Sequence, residues 1–352
     1  MAEVELWVDG RIHAGWKEMT VTRAIDAGAG SFRLVLSDRW GGDVARAEAI
    51  PEGAACIVML DGLRVITGWI DAVEPGGDAS THEILIDGRD RTGDLVDCSA
   101  AVTGPTEWYD LTVLDLAQVL AEPFGVTVTA PPELIGRPFA KFKIEVGESP
   151  FEAIERACRM RALLPASDAY GNLTLGRAPN GTAVGALVYG ENILSWSAPR
   201  SAKDRFSQII VKGQQPGADY LPTDQIAAVE GRAGDPGVGR YRPKVIIAEE
   251  ASDTAAATER AGWEVSVRAA RGRQFRCEVQ GWRQAPGEPL WRPGLLTRVH
   301  HPQAGLDEAH MVVTRCVYNK GSRGSTTGLE LSPPGAYDLR AEPETPPAES
   351  WL

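Results

Sequence analysis

With 43% hydrophobic and 24% charged side chains, the 352-residue sequence has the composition of a folded protein and room for two or three domains. Its 36 Lys and Arg stand against 48 Asp and Glu, a formal charge of -12, which argues against tight binding along a phosphate backbone because that needs clustered cations. An acidic passage that repels nucleic acid and keeps it from sticking is compatible with the same balance.

The chain opens on two alternating stretches, 4–8 and 11–16, about an Asp9-Gly10 step, which reads as a β-hairpin because both central residues of a type I′ turn need positive φ. Residues 19–25 predict a further strand. The stretch 30–40 predicts the next, with Phe32, Leu34 and Leu36 alternating against Arg33, Val35 and Ser37. Residues 55–60 and 63–69 flank Asp61-Gly62 as a second hairpin, and 81–87 adds one more strand. A small antiparallel barrel is the economical closure for so many short strands, since it removes their exposed edges. Residues 88–100 contain Asp90, Asp94 and Asp97 after Asp87, but Arg89 and Arg91 interrupt the carboxylates. The spacing is not that of a calcium loop, and a hydrogen-bonded exit from the barrel is expected.

The period then changes. Val113, Leu116, Ala117, Leu120 and Phe124 follow helical spacing up to Gly125, which suits a C-terminal cap. Short strands are expected at 126–129 and 141–146. Ser149-Pro-Phe-Glu152 combines a Ser N-cap, Pro at the first helical position and the Glu of a capping box, with Phe151, Ile154 and Cys158 as the buried stripe. A hairpin turns at Gly171-Asn172. Residues 204–212 return to strand, 214–240 read as a long irregular loop, 241–248 as a strand, and a helix capped by Ser252 or Asp253 carries Ala256, Trp263, Val267 and Ala270 on one face. The Gly-rich segment 231–239 lacks the Gly-Lys-Ser/Thr ending of a phosphate loop.

The end of the chain repeats the beginning. Gly272-Arg-Gln-Phe275 stands for the strand of Phe32, Pro293-Gly294 for Pro51-Glu-Gly53, Val312-Val-Thr314 for Val65-Ile-Thr67, and 325–331 for 80–86. The sequence therefore predicts a β-rich α+β protein with two similar small antiparallel β-barrel modules flanking an α/β insert. The expected divisions are 1–95, 96–200, 201–335 and a flexible Pro- and Glu-rich tail at 336–352, with Phe32 and Phe275 as equivalent core anchors.

Chemistry is sparse. His300, His301 and His310 do not make a metal set by spacing, because neighbours on a strand face opposite ways, at most two could converge without a bend, and no nearby Cys or acidic pair completes a tetrahedral set; no metal or cofactor is expected. Ser nucleophiles lack a Gly-x-Ser-x-Gly elbow, and no pair of carboxylates stands out. The five scattered cysteines read as small reduced core residues. The longest apolar runs are too short to cross a bilayer. Glu3 and Glu5 interrupt any basic-then-apolar leader, so synthesis in a cytoplasm is expected. Tryptophans at strand ends, Trp40 and Trp291 with its neighbour Arg292, are candidates for a subunit, spike or tube interface, as are Arg89 and Arg91.

Several of these stretches together resemble the baseplate hub proteins of Mu-like contractile-tailed bacteriophages: Val21-Thr-Arg-Ala-Ile25, Gly30-Ser-Phe-Arg-Leu-Val-Leu36, the segment 88–100, the capped helix from Ser149 with Tyr170-Gly171-Asn172, the strand 241–248, and Trp291-Arg-Pro-Gly294. The resemblance covers nearly the whole chain and is loose over 214–239. It implies a structural, non-enzymatic homotrimer in which two similar domains per subunit form a pseudo-sixfold ring joining a sixfold tail tube to a threefold central spike. It also implies a relation to the hub part of type VI secretion spikes. The implied partners are the chain itself, the spike, the tube and neighbouring baseplate proteins, with DNA passing through without specific binding and no membrane insertion. The implied place is the virion baseplate, assembled in the host cytoplasm. Two rival readings are a tail-associated cell-wall glycosidase and a carbohydrate-binding β-protein using exposed Trp.

Overall fold

The computed structural model describes residues 3–37, 50–78, 82–100, 106–177, 182–214, 228–247 and 254–339. Trp40, the predicted caps Ser252 and Asp253, the middle of the 214–240 loop and most of the predicted tail lie outside the described residues.

The first seven strands are β1 (Val4–Val8), β2 (Arg11–His13), β3 (Glu18–Ala24), β4 (Ser31–Ser37), β5 (Ala55–Leu60), β6 (Leu63–Gly77) and β7 (His82–Asp90). Both Asp-Gly steps turn as their residue types require, with φ of 48° and 76° at Asp9-Gly10 and 48° and 74° at Asp61-Gly62. Alternation places Phe32, Leu34, Val58, Ile66 and Ile86 inward, where all are buried.

The insert comprises α1 (Gly93–Asp97), β8 (Glu107–Trp108), α2 (Val113–Ala121), β9 (Val128–Thr129), β10 (Phe142–Lys143), α3 (Pro150–Arg159), β11 (Leu164–Ser167) and β12 (Leu173–Gly176). Ser149 and Glu152 form the expected reciprocal capping box. Thr112 and Asp115 form a second one, ahead of α2. Gly125 closes a 3-10 turn after α2 at φ 65°. Ala153, Ile154, Ala157 and Cys158 of α3 meet Leu116, Ala117 and Leu120 of α2 in a separate core, while Phe151 is only partly covered. The strand expected over 141–146 contracts to β10, which pairs only with β8.

Beyond it come β13 (Ala186–Val188), β14 (Ile193–Ser197), β15 (Gln208–Gln214), β16 (Ala228–Gly234), β17 (Pro243–Ile247), α4 (Thr254–Arg271), β18 (Phe275–Gln280), β19 (Leu296–His301), β20 (Leu306–Gly321) and β21 (Gly324–Ser332). Part of the stretch read as irregular is therefore the strand β16. It pairs antiparallel with β15, which pairs parallel with β17. Helix α4 covers this small sheet, and Ile209, Val211, Val229, Ala257 and Ala261 form its own core. Gly231, in the Gly-rich run, is a contact point for that helix: a Cβ there would sit 2.1 Å from the Ala257 carbonyl carbon. Asp235 at the end of β16 accepts from Arg205 at 2.8 and 2.7 Å and from the Gly237 N–H, and the Arg205 guanidinium holds its carboxyl below the usual range. Residues 336–339, the start of the predicted tail, pack on α4. Trp263 Nε1 donates to the Asp338 carbonyl, and Arg271 Nε to that of Ala336.

The repeat is visible as a shared ladder. In the first half the order is β4-β7-β6-β5, and in the second β18-β21-β20-β19. Phe32 pairs with Gly88 and Gly88 with Ile70, after which β6 bulges. Phe275, Leu331 and Val313, each 243 residues further on, pair in the same way, and β20 bulges at the same step. The Gly53 N–H donates to the Ile70 carbonyl and the Gly294 N–H to that of Val313, both glycines at positive φ. This constant spacing corrects two of the sequence matches. Val312 occupies the place of Trp69 rather than Val65, and Leu331 that of Gly88 rather than Ile86. Both slips are even, so inward faces were matched with inward faces despite the wrong register.

The two barrels expected from the strand count are not present as closed ladders among the described residues. The path runs open from β14 to β2, and β3, which each barrel would need as a seal, lies between β4 and β20. Each module covers an edge by sharing it with the other, giving one 13-stranded sheet over one hydrophobic core.

Phe32 and Phe275 are 3% and 0% exposed. Phe→Ala at either position is expected to cost about 3–5 kcal/mol in urea unfolding; a negligible loss at one of them would contradict equal roles. The Arg205–Asp235 pair lowers the folded Asp235 value, so its contribution is complete above about pH 4 and fades as pH falls through that lowered value. Asp235→Asn should accordingly flatten the acid limb of the stability profile, measured as the urea midpoint from pH 5 to 2.

Candidate interaction groove

A concavity with convergent polar groups lies where β3, the start of β6, the β11–β12 hairpin and the segment before β19 meet. Its volume is about 580 Å³. Four arginines line it, Arg23, Arg64, Arg177 and Arg292. None of them has a carboxylate within ion-pair distance among the described residues. Arg23 Nη2 donates to the Ser167 carbonyl at 2.8 Å, while its Nε is buried without a partner. Arg64 lies 5.0 Å above the exposed Tyr170 ring. Arg177 donates to the Ala162 carbonyl, and Arg292 is exposed. In a chain of net charge -12 this is a locally cationic recess.

The floor is rigid. Trp291 is 1% exposed, its N–H donates to the Trp282 carbonyl, and its own carbonyl accepts from the Tyr318 hydroxyl. Burial pushes that phenol well above its ordinary range. Trp282 Nε1 in turn donates to the Asn319 carbonyl at 3.0 Å. The indole of Trp291 is therefore spent on intrachain packing, and the exposed group beside it is Arg292. Among the described residues Asp168 is the one carboxylate lining the groove, and its Oδ1 already accepts from the N–H groups of Tyr170 and Asn172, so they bring no second carboxylate opposite it for glycosidase chemistry.

Arg89 and Arg91 have other work. Arg89 donates to Asp71 and Asp97, both at 2.7 Å, tying β6 to α1. The Arg89 guanidinium holds the exposed Asp97 carboxyl below its usual range. Arg91 donates to the Gly125 carbonyl at 3.0 Å. Together with Thr67 Oγ1 donating to the Ala169 carbonyl, they clamp the insert onto the first module. Asp90 is buried between the Gly30 N–H and the Thr92 hydroxyl, and desolvation raises its carboxyl despite both. The carboxylates of 87–97 are thus paired or hydrogen-bonded where their partners are seen, Asp87 by Arg33. The groove was missed in the sequence because its arginines are spread over 270 residues; only Trp291-Arg292 marked its position.

A long shared sheet with two like ladders, an α/β insert and a second small sheet recurs in solved phage-type tail proteins. Over 96% of its length the chain superposes on the whole of the 43 kDa tail protein of prophage MuSo2 from Shewanella oneidensis, with a TM-score of 0.84 and 30% identity. A component of the type VI secretion system from E. coli shares the fold at 10% identity, with a TM-score of 0.59 over 97% of this chain and 80% of that one. Domain families match in order: Mu phage baseplate assembly protein GpP-like, N-terminal, at 3–90; baseplate hub protein gp44-like, second domain, at 92–177; tail protein NMB1110-like, third domain, at 205–262; and GpP, fourth domain, at 253–340. The chain is 34% identical to baseplate hub protein gp44 of Escherichia phage Mu over 94% of its own length and 87% of that protein, and it belongs to this family of Mu-like baseplate hub proteins.

One substitution tests the clamp on the insert. Gly171 has φ 73°, and a Cβ there would lie 2.4 Å from the Thr67 carbonyl oxygen. Gly171→Ala should lower stability by about 1–3 kcal/mol, read by urea unfolding.

Proposed function

We propose that the chain works as a structural hub: a homotrimer whose two like ladders per subunit imitate a sixfold ring, joining the sixfold tail tube on one side to the threefold central spike on the other. The observation that carries the reading is the repeated ladder, β4-β7-β6-β5 and β18-β21-β20-β19, with the same pairs and the same bulge. Three chains then present six similar surfaces, and contacts around such a ring are heterologous and must close. The arginine groove fits one side of that contact, receiving an acidic edge of the neighbouring chain. Neighbouring baseplate proteins surround the ring in the virion, after assembly in the host cytoplasm. The net charge of -12 suits a channel through which DNA passes without being held.

The hub is read as non-enzymatic, since the groove brings together cations rather than an acid and a base. Native mass spectrometry of the full chain should give a trimer. Arg292→Glu should weaken it by about tenfold or more, with the loss largest at low salt. A chain that stays monomeric at high concentration would defeat the hub reading, and an unchanged trimer in Arg292→Glu would remove the groove from it.

A further inference from the structure

The hairpin between β19 and β20 gathers three side chains that the ring reading does not use. Val299 pairs with Ala309 and His301 with Leu306, so one residue of β19, His300, faces two of β20, Asp307 and Glu308. This is a β-bulge, and Glu308 is held at φ 49°, a left-handed conformation uncommon for its type. Neighbours on a regular strand point to opposite faces, but here both carboxylates reach the same imidazole nitrogen. His300 Nδ1 lies 3.2 Å from Asp307 Oδ1 and 3.4 Å from Glu308 Oε1. That nitrogen is buried and makes no hydrogen bond. One ligand atom from each of the three residues falls within 4.8 Å of the other two. The bend that would let a histidine and an acidic pair converge, not expected from the spacing, is supplied by this bulge.

We propose that His300, Asp307 and Glu308 bind one divalent transition-metal ion, zinc or a close analogue, at the β19–β20 turn. Bonds of about 2.1 Å in a tetrahedron separate ligand atoms by about 3.4 Å, which the two distances from Nδ1 approach. A nitrogen with two carboxylate oxygens suits a borderline ion better than calcium or magnesium, which prefer all-oxygen shells. Water completes the fourth position, because the cluster opens to solvent at Asp307 and Glu308. Arg298 competes: its Nη1 already lies 2.8 Å from Glu308 Oε2. His301 takes no part. It is fully buried, accepts the Ala304 N–H at Nδ1 and packs between Tyr189 and Trp196. The ion would pin β19 to β20 at the turn, with β13 pairing alongside β19 through Val188 and His300.

The test is calorimetric titration of zinc into the chelator-stripped full chain, repeated with cobalt for its visible absorption. One equivalent per chain is expected, with the cobalt band of a four-coordinate ion. His300→Ala and Glu308→Gln should each weaken binding by about tenfold or more. Arg298→Met should tighten it, because it frees Glu308. Circular dichroism melting of each variant checks that the hairpin remains folded. Stoichiometric zinc bound equally well by His300→Ala, no binding at millimolar zinc, or weaker binding in Arg298→Met would overturn the site.

Discussion

The pairing of β3 with β20, from Ala24 opposite Arg315 to Met19 opposite Lys320, is the constraint on which the rest of the molecule depends. It joins residues about 300 positions apart and turns two β-modules into one sheet. Met19 and Val21 on one strand and Cys316 and Tyr318 on the other are buried in the single large core. Thr20 Oγ1 adds a hydrogen bond to Asn319 Oδ1 across the ladder. An antiparallel edge left bare invites pairing with another chain. Here β3 and β20 cover each other, which fixes the angle between the modules. Tyr318 then reaches from the same ladder to the Trp291 carbonyl, so the floor of the arginine groove is set by the junction itself.

Local signals were legible wherever residue chemistry alone decides the backbone. The Asp-Gly turns, the Ser149 capping box and the alternation around Phe32 and Phe275 are of this kind. The duplication was legible too, because turn glycines such as Gly53 and Gly294 recur before matching strands. Its register was not. Strands of period two align equally well after a slip of two or four residues, and only the paired bulges after Ile70 and Val313 settle the match. Barrel closure was inferred from strand number, which carries no information about which edge meets which. The β16 strand was hidden by Gly231 and Gly234. The former makes room for α4, a tertiary demand that reads in sequence as loop composition.

The candidate sites were harder still, for two different reasons. Trp291 reads in sequence either as a core residue or as an interface anchor; in the fold it is buried in its own chain, and the exposed group beside it is Arg292. Sequence shows that an aromatic ends a strand but not which face it takes at an irregular turn. The groove needs residues from four separate stretches of chain, and the proposed metal cluster needs a bulge that sets His300 against two adjacent carboxylates. In both cases the residues are ordinary and their convergence is the feature. Four guanidinium groups without a carboxylate partner among the described residues make the groove a local exception in a chain of net charge -12.

The central claim is that duplication within one chain lets three subunits occupy six equivalent places around a channel. Electron micrographs of the purified assembly, averaged along its axis without imposed symmetry, test it most directly. The account predicts six near-equal lobes of density around a central hole, related exactly in threes and approximately in sixes. A ring with any other number of lobes, or particles with no axial hole, would contradict it.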